Sequence, residues 1–389
     1  MIPYSKQFID KGDIKSVVKT LKSAFLTQGP QIHKFEKEIS KKTKAKYTAV
    51  VNSATSALHI SCMALGFKKK DILWTVPNTF VASSNCALHL GGKVDFVDID
   101  YESGNISVEK LEQKLTQAKK YDKLPKILIP VHFAGNPTAQ DEIYNLSRKY
   151  KFKIIEDASH SIGAKYKNEK VGSCKWSDIT VFSFHPVKII TTFEGGAALT
   201  NDKTIYKKLK MYSNHGITKN RKDFLHKKKG KWYYEQRYLG LNYRLTDVAA
   251  SLGLNQLRKL NKFVNDRNKI AKQYEKLLNK KFLIVPKIRN NTQSSFHLYV
   301  IKLKNEFNHL HEKLFNFLRK NNFNVNLHYI PVHLHPYYRK IGFKSGMFKN
   351  AEKHAKTSIS IPIYPSLKKT QIIKISKLIN NFFIKNVKK

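Results

Sequence analysis

VFSFHPVKIITTFEGGAALTND, residues 181–202, decides how this chain is read. Val181 to Phe184 has the composition of a short buried strand, and Ala197 to Thr200 of a second one. Glu194-Gly195-Gly196 forms the turn that enters the second strand. Lys188 therefore follows a strand end, where it faces a cleft. Upstream, KIIEDASHS (153–161) ends another apolar strand on Asp157, with His160 just beyond. Alone, a lysine among 72 basic residues is an ordinary solvated group. An aspartate after a strand is alone an ordinary turn or cap residue. The pair, in register at two strand ends, is what carries information.

The elements around that pair fix the fold class. DILWTV, KVDFVDID, KILIPVHF, FKIIED, DITVFSF and GAALTND read as strands. VEKLEQKLTQAKKY and AQDEIYNLSRKYK, between them, have helical apolar spacing. Alternation of this kind predicts an α/β fold with a large, mostly parallel sheet covered by helices. A long helical pattern from Asp247 to about Leu278 leads toward a smaller α+β unit. That unit ends in the amphipathic helix TQIIKISKLINNFFIK, with Ile372, Ile375, Ile379 and Phe382 on its buried face. The expected division is 1–250 for the large domain with its N-terminal arm and 251–389 for the small one.

Composition narrows the class further. The 389 residues, 41% of them hydrophobic, suffice for two cores. No run of apolar residues is long enough to span a membrane. The opening MIPYSKQFIDKGD lacks the layout of a signal peptide. Cys62, Cys86 and Cys174 are widely spaced and show no metal motif, so a cytoplasmic protein with reduced thiols is expected. The net charge of +44 comes from 72 basic against 28 acidic residues. It is spread along the chain and mostly lysine, which reads as compositional with some steering of anionic substrates. No nucleic-acid-binding module is recognisable, and no nucleic-acid partner is expected. The densest basic run, Lys219 to Tyr238, reads as a mobile surface loop.

A strand-end acid followed by a strand-end lysine matches the needs of pyridoxal 5′-phosphate (PLP). The lysine condenses with the aldehyde, and the acid keeps the pyridine nitrogen protonated so that the ring accepts electrons. PLP also needs a phosphate cradle. VVNSATSALHI (50–60) passes from a short strand through Asn52-Ser53-Ala54-Thr55 into a helix, where small residues expose N–H groups at a helix start. The Ser183 hydroxyl can join them. A ring partner is available too: VPNTFVASSNCAL places Phe80 just past a strand end.

Together, FLTQGPQIHKFE, NSATSAL, PNTFVAS, EDASHSIGA, FSFHPVK, EGG and LNYRLTDVAASLGLNQL resemble the DegT/DnrJ/StrS family of sugar aminotransferases over essentially the whole chain. The resemblance implies PLP-dependent transferase fold type I, with Lys188 as the Schiff-base lysine and Asp157 paired to the pyridine nitrogen. It also implies Phe80 stacked on the ring, His160 beside the ring hydroxyl, and Ala54, Thr55 and Ser183 on the phosphate. Asn242 matches a residue that reaches the phosphate of the partner subunit, which implies a homodimer with shared sites.

Within the family, FHPVK with His185 and the later HYIPVHLHPYYR resemble aminotransferases of pseudaminic acid biosynthesis. That likeness implies a UDP-linked 4-keto-6-deoxy-N-acetylhexosamine as acceptor and glutamate as donor. The implied substrate pocket draws on Tyr4, Ala24, Phe25, Leu26, Thr27, Ala54, Ser183, His185, Asn242, His328, Tyr329, Ile330 and Pro331. One departure stands out: Phe193 occupies a position where relatives usually carry Gly or Ala. Another keto nucleotide sugar, of the legionaminic acid, bacillosamine or perosamine type, is the alternative. Two rivals fit less well. Sugar dehydratases of this fold replace the lysine by histidine, and a basic nucleic-acid-binding or regulatory protein with a vestigial cofactor site would have no need of Asp157, Lys188, Phe80 and Ser183 together.

Overall fold

In this computed structural model the described residues are 1–226 and 230–387. The first half alternates as expected. After helices α1 (Lys11–Leu21) and α2 (Pro30–Thr43) come β1 (Tyr47–Val51), α3 (Ala54–Ala64), β2 (Ile72–Thr75), α4 (Ala82–Leu88), β3 (Lys93–Phe96), α5 (Val108–Lys120), β4 (Ile127–Ile129), α6 (Gln140–Tyr150) and β5 (Lys153–Asp157). Strands β6 (Ile179–Ser183) and β7 (Gly196–Thr200) follow, then α7 (Lys203–Tyr212).

These seven strands form one sheet in the order β1-β7-β6-β5-β4-β2-β3. Strand β7 runs antiparallel to both neighbours, and the other pairings are parallel. The connection between β6 and β7 carries no helix, so the chain turns back rather than crossing over. Every residue of β6 and β7 is buried, as a sheet covered on both faces requires. Phe182 and Ala197 belong to the cluster formed with Phe35 of α2, whereas Val181 and Ala198 belong to the cluster formed with Leu58 of α3. Neighbouring residues thus serve opposite faces.

Beyond α7 the structure departs from the sequence reading in one respect. The helical pattern expected to run unbroken from Asp247 is two helices, α8 (Asp247–Arg258) and α9 (Leu260–Leu277). They meet at Lys259, the C-terminal cap of α8 and the N-terminal cap of α9, with φ −91° and ψ −3°. Its ammonium group bonds Asp10 at 2.9 Å and Asp13 at 2.6 Å, tying the junction to the start of α1. No glycine or proline announces the break. The expected 250/251 boundary falls inside α8.

The C-terminal unit is a three-stranded antiparallel sheet of β8 (Leu283–Ile284), β9 (Tyr299–Leu303) and β10 (Ser358–Ile361), packed against α9, α10 (His311–Lys320) and α11 (Lys369–Val387). Ile372, Ile375, Ile379 and Phe382 are buried as their spacing predicts. The two halves are stitched together. Ile2–Pro3 pairs with Phe323–Asn324, and Val332, Tyr338, Phe348 and Ala351 pack into the core of the large sheet. Within the basic run 219–238, Glu235–Gln236 pairs with Ile217–Thr218, and residues 227–229 lie outside the described residues.

Candidate active site

The site is assembled by strand register. Gly196 at the start of β7 pairs with Ser183 on one side and with Val51 on the other. On the far side of β6, Asp157 pairs with Val181. The ends of β1, β6 and β5 therefore lie side by side at one edge of the sheet, where α/β folds place their ligand sites. Gly196 has to be glycine for steric reasons. A Cβ there would lie 2.5 Å from the backbone nitrogen of Ala54. At Gly195 it would lie 2.0 Å from Oγ1 of Thr192. The Glu-Gly-Gly turn thus lets β7 run against the loop that opens α3.

That loop is built for an anion. Ser53 caps α3 by accepting a hydrogen bond from Ser56 N at 3.1 Å, and Ser56 Oγ donates to Oδ1 of Asn52 at 2.6 Å. The N–H groups of Ala54 and Thr55 lie in the first turn, before Ala57 N makes the first intrahelical bond to Ser53 O at 3.1 Å, so they have no intrahelical acceptor.

A cleft of about 560 Å³ opens over these strand ends. Of the residues singled out from sequence, Tyr4, Ala54, Thr55, Phe80, Asp157, His160, Ser183, His185, Lys188, His328 and Tyr329 line it. Ala24, Phe25, Leu26, Thr27, Asn242, Ile330 and Pro331 do not. Residues 24–27 and Asn242 are exposed on the outside of the chain. Asp247 fixes the former group, accepting from Gly29 N at 2.6 Å and from Gln31 N at 2.8 Å. Asn242 forms an isolated bridge with Asn214, and its neighbour Tyr243 accepts from Asn52 N at 2.9 Å.

Asp157 is buried, and Ser83 of α4 donates to its Oδ2 at 2.6 Å while Ser159 N donates to Oδ1 at 3.1 Å. Lys188 is half-buried in the cleft wall, on a turn closed by its own N–H donating to His185 O at 2.9 Å. Burial pushes its pKa down to about 8 against the opposing pull of Asp157. His160 is held well below its ordinary pKa, mainly by burial and then by Lys188 and His328. Burial, with Lys188, takes His328 to about 3. These imidazoles are neutral at physiological pH. Tyr329 stays a phenol because burial and the nearby Asp157 raise its pKa. Its hydroxyl lies 3.1 Å from Nε2 of His160, and Nδ1 of His160 is buried without a partner among the described residues.

Sequence reasoning missed several wall residues: Thr79, Ser159, Glu194, His297 and Asn326. It also missed Ser83, which holds Asp157. His297 and Asn326 enter from the C-terminal unit, and nothing local marks them. His297 packs its ring against His160 with centroids 4.4 Å apart.

The set comprises an amine with a lowered pKa, a hydrogen-bonded carboxylate, an anion-ready helix start with Ser183 beside it, and the exposed ring of Phe80. These groups fit an aldehyde, a pyridine nitrogen, a phosphate and an aromatic face in one cofactor. No cluster of three or more potential metal ligands occurs among the described residues. A sequence profile of DegT/DnrJ/EryC1/StrS aminotransferases matches residues 7–380. The chain belongs to that family. Its fold is PLP-dependent transferase type I, its cofactor is PLP, and it is a sugar aminotransferase. A Campylobacter jejuni relative, named UDP-4-amino-4,6-dideoxy-N-acetyl-beta-L-altrosamine transaminase, is 42% identical over 368 residues, covering 94% of this chain and 93% of that one. PseC of Helicobacter pylori, an aminotransferase of pseudaminic acid biosynthesis, superimposes with a TM-score of 0.89 at 29% identity, covering 99% of both chains. A Streptococcus pneumoniae protein described as a sugar aminotransferase, solved in its PLP form, gives 0.89 at 26% identity over 99% of both chains.

Proposed function

We propose that this enzyme moves the amino group of L-glutamate to carbon 4 of a UDP-linked 4-keto-6-deoxy-N-acetylhexosamine, as in pseudaminic acid biosynthesis, and releases 2-oxoglutarate. The likeness to the Campylobacter transaminase over nearly the full chain is the observation that carries the choice of sugar. The convergence of Lys188, Asp157 and Ser183 in one cleft supports the chemistry.

Bound PLP supplies an electron-accepting ring and a carbon that takes and gives the amino group. Asp157, oriented by hydrogen bonds from Ser83 Oγ and Ser159 N, would pair with the ring nitrogen. The helix start at Ala54 and Thr55, with Ser183, would hold the phosphate, and Phe80 would cover one face of the ring. The Nζ of Lys188 would take a proton from the donor's α-carbon and deliver it to the cofactor carbon that bears the nitrogen. In the second half-reaction it would move one from that carbon to carbon 4 of the sugar, a task suited to an amine with a pKa near the working pH. Tyr329 offers a hydroxyl proton and His160 a neutral imidazole within the same wall, so the cleft can hydrogen-bond a keto sugar without adding charge.

In this reading the enzyme is a cytoplasmic homodimer. Asn242 and residues 24–27, exposed on the single chain, would serve the partner's cleft together with the exposed Ile330, whereas Pro331 is buried. We set the division between the cofactor-binding and C-terminal units at Lys259, where α8 gives way to α9.

The test is product analysis. The enzyme, 15N-labelled glutamate and a panel of 4-keto nucleotide sugars should yield 15N at carbon 4 of the UDP-linked acceptor, located by NMR. Faster turnover of a GDP- or dTDP-linked sugar would refute the choice of substrate.

A further inference from the structure

Between Lys188 and the Gly195–Gly196 pair, the chain makes a turn whose geometry favours a residue without a side chain, and the residue there is phenylalanine. Phe193 has a φ of 66°. In this left-handed region the Cβ crowds the following carbonyl, and a bulky aromatic is a true outlier. The turn is tightly specified. Phe193 N donates to Thr191 Oγ1 at 3.0 Å, Thr191 Oγ1 donates to Phe184 O at 3.0 Å, and Thr192 Oγ1 donates to Glu194 O at 2.8 Å. Strain of this kind persists where the surroundings over-determine it, and it concentrates at functional sites.

Burial of the phenyl ring could offset the strain, yet Phe193 is 52% exposed. Its own chain therefore leaves much of the ring unused. The position points to what uses it. Glu194, the next residue, lines the cleft, and so does Lys188 before it. Phe193 is not itself in the lining but stands exposed one residue before Glu194, which is. Glutamate is small and must reach Lys188 in the wall. A sugar nucleotide is long and has to extend past the rim.

We propose that Phe193 is a specificity-determining residue at the cleft mouth, its ring packing against a flat face of the sugar nucleotide. That face belongs to the pyrimidine base or to the deoxy-sugar ring, both of which an aromatic side chain covers. The inference deepens the proposed function and rests on it.

Two variants of the holoenzyme separate strain from contact. Phe193→Ala removes the ring and keeps a Cβ at positive φ. Phe193→Gly removes both. The KM for the nucleotide sugar should rise about three- to tenfold in both, the loss expected for one aromatic contact. The KM for glutamate should stay within about twofold. Only Phe193→Gly should melt higher, by about 1–3 °C, because only glycine relieves the backbone. Inhibition by UDP alone distinguishes the two faces: a weakened UDP in both variants assigns the base, and an unchanged UDP assigns the sugar. Unchanged sugar KM in both variants overturns the proposal. So does a parallel rise in both KM values accompanied by dissociation in sedimentation velocity, which would make Phe193 a subunit contact. Wild-type enzyme that aminates no 4-keto nucleotide sugar refutes the proposed function itself, and this inference with it. Wild-type turnover with unaffected variants refutes this inference alone.

Discussion

Lys188 in the cofactor-free enzyme should capture PLP far faster at neutral pH than an ordinary lysine, and the pH dependence should reveal why. Only the free amine attacks the aldehyde. Burial lowers the Lys188 pKa from 10.5 to about 8, a difference of about 300-fold in free amine at a pH below both values. The sign is definite. Below pH 8 the group is mostly protonated and capture rises about tenfold per pH unit; above 8 it levels off. Stopped-flow absorbance in the visible, recorded from about pH 6.5 to about pH 9.5, reads the rate directly. Lys188→Ala serves as the blank for other lysines. Asp157 pulls the pKa upward, so Asp157→Asn should move the bend to lower pH, the opposite of what loss of the fold would do. A bend near 10, or a bend that stays put in Asp157→Asn, would refute the electrostatic account of this lysine.

Other consequences follow from the same geometry. Asp157→Asn should also cut turnover by several orders of magnitude with an unchanged circular dichroism spectrum, whereas Ser83→Ala, which removes one hydrogen bond to Asp157, should cost about tenfold. Steady-state rates would show the ranking, and a Ser83→Ala loss as deep as that of Asp157→Asn would contradict it. Gly196→Ala should weaken PLP binding and lower thermal stability, because its Cβ would lie 2.5 Å from Ala54 N and push the helix start outward. Equilibrium dialysis of PLP checks this. Lys188→Ala and Asn242→Ala, each inactive alone, should regain up to about half of the wild-type activity per mixed dimer when co-expressed, since one of the two shared sites is then intact. Differentially tagged mixed dimers without recovery would show that Asn242 serves its own chain.

Much of this arrangement could be read from the chain because its signals are local. The six strands from Ile72 to Thr200 are short apolar runs bounded by turn residues, and helices separate the first four of them. Lys188 and Asp157 stood out because both follow such strands. The glycines before Ala197 marked a turn, and the structure adds the reason: they let β7 close on the loop before α3. What escaped detection depends on distant contacts. The break at Lys259 coincides with side-chain bonds to Asp10 and Asp13, far upstream, with no breaker in the sequence. Ser83 resembles any small helix residue until Asp157 is placed beside it. His297 and Asn326 reach the cleft only because the C-terminal unit folds back over the sheet. Phe193 is an odd residue in the sequence, but the left-handed turn that makes it costly is visible only in the backbone.

The central claim is that Lys188 is the covalent anchor of the cofactor at the head of this cleft. Borohydride reduction of the PLP-loaded enzyme, followed by peptide mapping, tests it most directly. The account predicts one pyridoxyl-modified peptide, spanning residues 181–202 and labelled at Lys188, with loss of the visible band. Label on any other lysine, with Lys188 unmodified, would contradict it.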